Sequence, residues 1–126
     1  MPSLKITVKE KEPNVYVATL FGSLDTTTYA QLEEGLQPIL THFTKAIVLN
    51  MAGVDYISSM GIGTVFKLTK TMKDNGGVLL VTDLQPQIKK VFDTVKAMPL
   101  EAIFSSVEEA DEYLKEIQKK YFEQGN

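Results

Sequence analysis

Two adjacent serines followed by two glycines make up the part of this sequence best suited to chemistry. Ser58 and Ser59 lie just before Gly61 and Gly63, after the apolar run Ala46 to Leu49, which is typical of a buried parallel strand. A helix start presents unpaired backbone N–H groups and a positive dipole end, so a serine there can cap the helix or carry a phosphate. Because a helical pattern follows, the spacing predicts that both serines lie at a helix N-terminus.

The helix after the serines is predicted from apolar residues at helical spacing, and Asn75-Gly76-Gly77 should end it. The residues expected on its apolar face are Ile62, Val65, Phe66, Thr69 and Met72.

A nucleotide-binding enzyme domain is a remote alternative for the same loop. Gly61-Ile62-Gly63 between a strand and a helix, with Asp83 about twenty residues farther on, partly matches a dinucleotide-binding fingerprint. Phe66 stands where the third glycine of that fingerprint belongs, and its ring would obstruct close packing of helix on strand. The chain is also too short for two nucleotide-binding halves.

The composition argues against several other kinds of site. The chain contains no cysteine, which excludes a disulfide framework and a zinc–thiolate centre. His42 is the single histidine and is expected near the far end of the first helix, away from the serines. Neither a metal centre nor a Ser-His-Asp arrangement is therefore predicted, and no catalytic residue or cofactor is expected.

Two short motifs make the sequence similar to a known family. Around Ser59 it resembles the anti-sigma factor antagonists of the STAS domain class, in which the serine two positions before Gly-x-Gly opens the helix and is phosphorylated. Gly22-Ser23-Leu24-Asp25 resembles the Gly-x-Leu-Asp turn of that family, whose aspartate lies beside the serine. The resemblance implies that Ser59 is phosphorylated, with Ser58 as the rival acceptor. It also implies a partner-binding surface formed by Asp25, Thr26, Thr27, Ser58, Ser59, Met60, Gly61 and Gly63.

The resemblance further implies a protein that acts by partner switching and not by catalysis. In that scheme the unphosphorylated form binds an anti-sigma factor that is a serine kinase, the kinase phosphorylates Ser59, and a PP2C-like phosphatase restores the hydroxyl. Two positions depart from the family pattern, because Ser58 replaces a common aspartate and Met60 replaces a small residue. These departures support the alternative of an adaptor that is not phosphorylated and scaffolds a signalling or lipid-transport complex.

The order of predicted elements indicates an α/β fold of the STAS kind, a mixed sheet of four to five strands with an N-terminal hairpin, flanked by about four helices. The expected strands are Leu4 to Val8, Val15 to Phe21, Ala46 to Leu49, Val78 to Thr82 and a short edge strand Ala102 to Phe104. Asp55, between the third strand and the serines, is expected to cap a helix or form a turn.

The helices on either side of the serine helix are predicted from their apolar stripes. The first should be capped by Asp25 or a following threonine and should kink or end near Gly35, because Pro38 removes a backbone donor. The inner residues of the first helix are expected to be Tyr29, Leu32, Leu36 and Ile39. Those of the third helix are expected to be Ile88, Val91, Phe92 and Val95, and those of the last helix Val107, Ala110, Leu114, Ile117 and Tyr121. The last stripe is expected to pack on the core, and a homodimer or partner surface is the alternative.

Residues 1–126 are expected to form one domain of a cytoplasmic protein. The net charge of −3 argues against a nucleic-acid-binding protein, which would carry a basic patch. No apolar run reaches the length of a membrane span, and the N-terminus lacks the pattern of a signal peptide. The partner is therefore expected to be another protein.

Overall fold

Strands and helices alternate along most of the chain. The computed structural model describes residues 3–95 and 102–124. In these ranges the strands are β1 (Leu4–Glu12), β2 (Val15–Leu24), β3 (Ala46–Ile57), β4 (Val78–Thr82) and β5 (Ile103–Phe104). The α-helices are α1 (Tyr29–Leu36), α2 (Ser59–Asp74), α3 (Pro86–Val95) and α4 (Val107–Gln124).

A short 3-10 helix at Gln37–Ile39 follows α1 and contains Pro38. The α-helix ends one residue after Gly35, as expected, because proline has no backbone N–H to continue the α-helical hydrogen bonds.

The five strands form one mixed sheet in the order β1-β2-β3-β4-β5. The β1 and β2 strands pair antiparallel, and every following pair is parallel. The N-terminal hairpin and the largely parallel sheet are therefore confirmed. Because the carboxyl ends of parallel strands lie at one edge of a sheet, the loops after β2, β3 and β4 lie along the same edge, which carries the serines.

Two apolar cores cover the two faces of the sheet. Alternate residues of β3 divide between them: Ile47 and Leu49 pack with α1, α2 and α3, whereas Ala46 and Val48 pack with α4. On α4, Ala110 is fully buried and belongs to the second core. The prediction that the last helix packs on the core is therefore confirmed.

The β1, β2 and β3 strands are all longer than predicted. The β3 strand continues through Asn50, Gly53 and Asp55 to Ile57, because this stretch pairs with β2 across two irregularities in register. Asp55 therefore lies within a strand, and the prediction that it caps a helix or forms a turn is wrong. On its other side β3 pairs with β4 only from Ala46 to Asn50 among the described residues. Beyond that point the side-chain amide of Gln85 donates a 2.8 Å hydrogen bond to the Ala52 carbonyl.

Three side chains differ from the predicted apolar stripes. Phe66 on α2 was expected to be buried but is 53% exposed, whereas Leu68, which was not in the predicted stripe, is buried. Val95 at the end of α3 and Ile117 on α4 are also exposed, although each lies on the same helix face as a buried residue seven positions earlier, Ile88 and Ala110 respectively. The side chain of Tyr121 lies outside the described part of the structure.

Candidate functional site

Ser58 is the N-cap residue of α2. Its backbone is extended, with φ −96° and ψ 173°, and its hydroxyl accepts a 3.2 Å hydrogen bond from the Gly61 N–H. Its carbonyl accepts the first helical hydrogen bond, from the Ile62 N–H at 2.9 Å. The hydroxyl of Ser58 is thus engaged in holding the first turn of α2.

Ser59 is the first residue of α2 and is exposed. Among the residues that the structure describes, its hydroxyl makes no hydrogen bond. The neighbouring N–H groups at the start of α2 and the positive end of the helix dipole favour negative charge at this position. The two adjacent serines therefore differ in availability: Ser58 is a structural cap, and Ser59 presents a free hydroxyl.

The serine loop is fastened to the end of β2. The Ser58 N–H donates a 3.0 Å hydrogen bond to the Leu24 carbonyl, and Leu24 also pairs with Ile57 in the sheet. A Cβ added to Gly61 would overlap the same Leu24 carbonyl and would lie 2.9 Å from the Ile57 Cγ1. Gly61 therefore permits the close approach of α2 to β2. As a result, the two sequence motifs lie side by side, as the family resemblance implies.

The turn after β2 is held by threonine hydroxyls. The Thr28 hydroxyl is buried, donates to the Ser23 carbonyl at 2.7 Å and accepts from the Asp25 N–H at 3.0 Å. Thr28 is the N-cap residue of α1, although its side chain makes no cap hydrogen bond. Thr28 is one of the threonines expected from the sequence to cap α1, and it occupies the N-cap position, but it was not included in the predicted partner surface.

Asp25 organises the outer part of this turn. Its carboxylate accepts hydrogen bonds from the Thr27 N–H at 2.8 Å and from the Thr27 hydroxyl at 2.7 Å. These bonds stabilise the ionised form, so the hydrogen bonds from Thr27 hold the pKa of Asp25 below its ordinary value of 3.8. Asp25 is therefore an ionised acceptor at neutral pH, and Thr26 and Thr27 lie exposed beside it.

The exposed side of α2 continues away from Ser59 as a small apolar surface. Met60 and Phe66 are 44% and 53% exposed, and Gly63 lies between them on the helix. At the far end of this surface the Lys67 ammonium lies 2.9 Å from the Glu33 carboxylate of α1. Phe66 was expected in the core, and only its exposure in the folded chain identifies it as a surface residue.

His42 is far from the serines. It lies in the loop before β3, whereas Ser58 follows the other end of that strand. The twelve residues of β3 are joined by eleven steps of about 3.3 Å, so the two ends of the strand lie roughly 36 Å apart. The only histidine of the chain therefore does not act as a base for Ser59. Among the described residues, no three His, Asp or Glu side chains cluster closely enough to bind a metal ion.

The sequence as a whole matches a family model. The model of the STAS domain matches residues 7–110, which include both motifs. This chain belongs to the STAS domain family.

Two relatives of this STAS domain carry related names. One, from Bordetella bronchiseptica, is provisionally named the anti-sigma factor antagonist BtrV and is 29% identical over 90 residues, 71% of this chain and 77% of that protein. The other is the anti-sigma-B factor antagonist of Staphylococcus epidermidis, 31% identical over 78 residues, 62% of this chain and 72% of that protein. By sequence, the chain groups with the anti-sigma factor antagonists of the family.

Solved structures share the fold of this STAS domain. Unphosphorylated SpoIIAA, an anti-sigma factor antagonist, superposes with a TM-score of 0.75 at 18% identity and covers 88% of this chain and 96% of that one. The phosphorylated form of SpoIIAA from Bacillus gives a TM-score of 0.69 at 19% identity and covers 87% of this chain and 99% of that one. The STAS-like fold predicted from the sequence is confirmed. In the described part of this STAS domain, no helix combines the length and apolar character needed to cross a bilayer.

Proposed function

We propose that this STAS domain is an anti-sigma factor antagonist that works by partner switching in the cytoplasm. In its unphosphorylated form it binds an anti-sigma factor that is a serine kinase. The kinase transfers the γ-phosphoryl group of ATP to the Ser59 oxygen, the hydroxyl proton is released, and ADP is formed. A PP2C-like phosphatase hydrolyses the phosphoserine and restores the hydroxyl. In this role the chain is the substrate of a kinase, not an enzyme.

The main support for this proposal is that the hydroxyl groups of Ser58 and Ser59 differ in exposure and hydrogen bonding. Ser59 is exposed, and its hydroxyl has no hydrogen-bond partner among the described residues. The Ser58 hydroxyl is committed to the Gly61 N–H, and phosphorylation there would remove the cap of α2. A phosphate on Ser59 would lie at the positive end of the helix dipole, which stabilises such charge by about 0.3 to 1 kcal/mol.

The relatives support the same role. Both are named anti-sigma factor antagonists, and the sequence match covers most of each of them. SpoIIAA has been solved in an unphosphorylated and a phosphorylated form, and this chain superposes on both. The STAS fold therefore accommodates phosphorylation in that relative without loss of its architecture.

Phosphorylation with purified proteins tests this proposal. Each anti-sigma factor kinase of the source organism is incubated with the chain and ATP, and the modified residue is located by mass spectrometry. We expect one phosphate at Ser59, no labelling of Ser59→Ala, and retained labelling of Ser58→Ala, which is the matched control one residue away. Labelling that survives in Ser59→Ala but disappears in Ser58→Ala would contradict the assignment.

One observation favours the second candidate, an adaptor that is not phosphorylated. The Met60 side chain is 44% exposed directly beside Ser59, and it adds bulk where the family resemblance expects a small residue. Such bulk narrows access to the hydroxyl. If no phosphorylated peptide containing Ser59 is found in growing or stressed cells, and if transport or signalling subunits co-purify instead of a kinase, the adaptor is the better description.

A further inference from the structure

Gly63 is a glycine that the fold itself does not require. It is exposed in the interior of α2, and a Cβ built on it has no atom within 4 Å. Glycine destabilises a helix interior relative to alanine because it loses more backbone entropy on folding. The folded chain would therefore be more stable with alanine at this position.

Gly61, one half turn earlier, is different. A Cβ there would overlap the Leu24 carbonyl, so packing of α2 on β2 explains that glycine fully. The two glycines of the motif therefore differ, because packing within the folded chain requires Gly61 but does not require Gly63.

The position of Gly63 relative to Ser59 indicates what approaches it. The two residues are four apart on α2, so they share one face at a separation of about 6 Å along the axis. A specific protein interface covers about 800 Å² on each partner. A kinase that receives the Ser59 hydroxyl in its active site therefore also covers the next turn of α2. There the exposed side chains of Met60 and Phe66 rise on either side of the bare backbone of Gly63.

We propose that Gly63 is the point where the serine kinase packs directly on the α2 backbone, seated between Met60 and Phe66. This inference rests on the proposed function, because the occupant is the kinase that phosphorylates Ser59. A methyl group at residue 63 would hold the kinase away from the helix, weaken its contacts with both side chains and displace the Ser59 hydroxyl from the γ-phosphate. Gly63 would thus favour recognition at the expense of helix stability.

The test compares stability and kinase affinity in the same variants. Gly63→Ala and Gly63→Leu are made together with Thr71→Ala as a neutral control. Thr71 lies on α2 about 12 Å beyond Gly63 along the helix axis, away from Ser59. The Thr71 hydroxyl donates a hydrogen bond to the Lys67 carbonyl of the same helix. Thermal unfolding gives the Tm. Titration calorimetry with the purified kinase that phosphorylates the wild type, in the presence of ADP, gives the affinity.

We expect Gly63→Ala to raise the Tm by about 2 to 4 °C and to weaken binding at least about tenfold. Gly63→Leu should weaken binding further, and Thr71→Ala should bind like the wild type. If Gly63→Ala binds the kinase as tightly as the wild type does, or lowers the Tm, this inference is wrong while the proposed function stands. If no kinase phosphorylates the wild type on Ser59, the proposed function fails and this inference fails with it.

Discussion

At the scale of single residues, the site depends on two neighbouring hydroxyls in different environments. Ser58 is tied on both sides, to Leu24 through its N–H and to Gly61 through its hydroxyl, whereas Ser59 projects from the first turn of α2. If Ser59 is phosphorylated as proposed, its charge can change while Ser58 keeps the start of α2 in place. In that case helix capping and regulation depend on separate side chains that are adjacent in sequence.

The first prediction separates these two contributions by stability. Ser58→Ala should lower the free energy of unfolding by about 1 kcal/mol, because an N-cap hydrogen bond is lost. Ser59→Ala should change it by less than about 0.5 kcal/mol, since the substitution is on the surface. Urea unfolding of both variants measures the difference, and equal losses would show that Ser59 also has a structural role.

The second prediction concerns the pH dependence of the Asp25 turn. The hydrogen bonds from Thr27 lower the pKa of Asp25 in the folded state, so the folded state binds this proton less tightly than the unfolded state does. The stabilisation is therefore present above the unfolded pKa and is lost as the pH falls through the folded pKa, below 3.8. The difference in unfolding free energy between the wild type and Asp25→Asn should be largest at neutral pH and should shrink below about pH 4. A difference that stays constant from pH 7 to pH 3 would contradict this account.

At the scale of elements, the close contact between β2 and the start of α2 positions the site. The Leu24 carbonyl accepts the Ser58 N–H and lies where any side chain on residue 61 would have to be. The loop that follows β3 is therefore held at a fixed distance from the turn that follows β2. Because of this contact, two motifs that are separated in sequence lie next to each other on one surface.

The third prediction uses the two glycines of α2 as a matched pair. Gly61→Ala should destabilise the protein by about 1 to 3 kcal/mol, because its methyl group overlaps backbone that cannot move without disturbing β2. Gly63→Ala should stabilise it by up to about 1 kcal/mol, because the same methyl group meets no atom. Denaturant unfolding compares both variants, and effects of the same sign would mean that the start of α2 is packed differently.

The elements could be predicted from the sequence where pattern and burial agree. The apolar run Ala46 to Leu49 predicted the start of β3, and the Ser-x-Gly-x-Gly spacing predicted the start of α2. The second half of β3 could not be predicted, because Asn50, Gly53 and Asp55 are typical of turns, and only pairing with β2 keeps them extended. Long-range pairing of this kind leaves no local pattern.

The residues of the candidate site could likewise be predicted only in part. Its serines and its aspartate were found from short motifs. Thr28 was expected only as one of the possible helix caps, and its hydrogen bond to the Ser23 carbonyl was not predicted. Phe66 was placed in the core, because helical spacing alone does not say which margin of an apolar stripe is covered by a neighbouring element.

At the scale of the whole molecule, the proposed phosphorylation would act on a surface residue that the folded chain does not need for its stability. The Ser59 side chain contributes to neither apolar core. A phosphate there adds about −1.5 to −2 charges at neutral pH. In the proposed complex this charge would have to be desolvated on the same surface as the Asp25 carboxylate, and we expect this to cost more than the ~1.4 kcal/mol of a tenfold loss in affinity. Under the proposed function, the partner would then be released without a change of fold.

The fourth prediction follows for the Ser59→Asp variant. It should unfold within a few degrees of the wild type, yet bind the kinase at least about tenfold more weakly. Amide NMR shifts should change near the start of α2 and in the Asp25 turn, and little elsewhere. Shift changes throughout β4 and α4, or an undiminished kinase affinity, would contradict a local electrostatic mechanism.

The hydrogen bond from the Gln85 side chain to Ala52 also bears on how molecules of this protein behave toward one another. A strand whose carbonyl groups face solvent is a template on which a neighbouring molecule can add its own strand, and aggregation begins in this way. Among the described residues, the stretch of β3 beyond Asn50 has no β4 partner, but the side-chain amides of Gln85 and Gln87 donate there to the Ala52 and Asp55 carbonyls at 2.8 and 3.5 Å. Two backbone acceptors that an added strand could use are therefore already occupied, by residues that lie outside both sequence motifs.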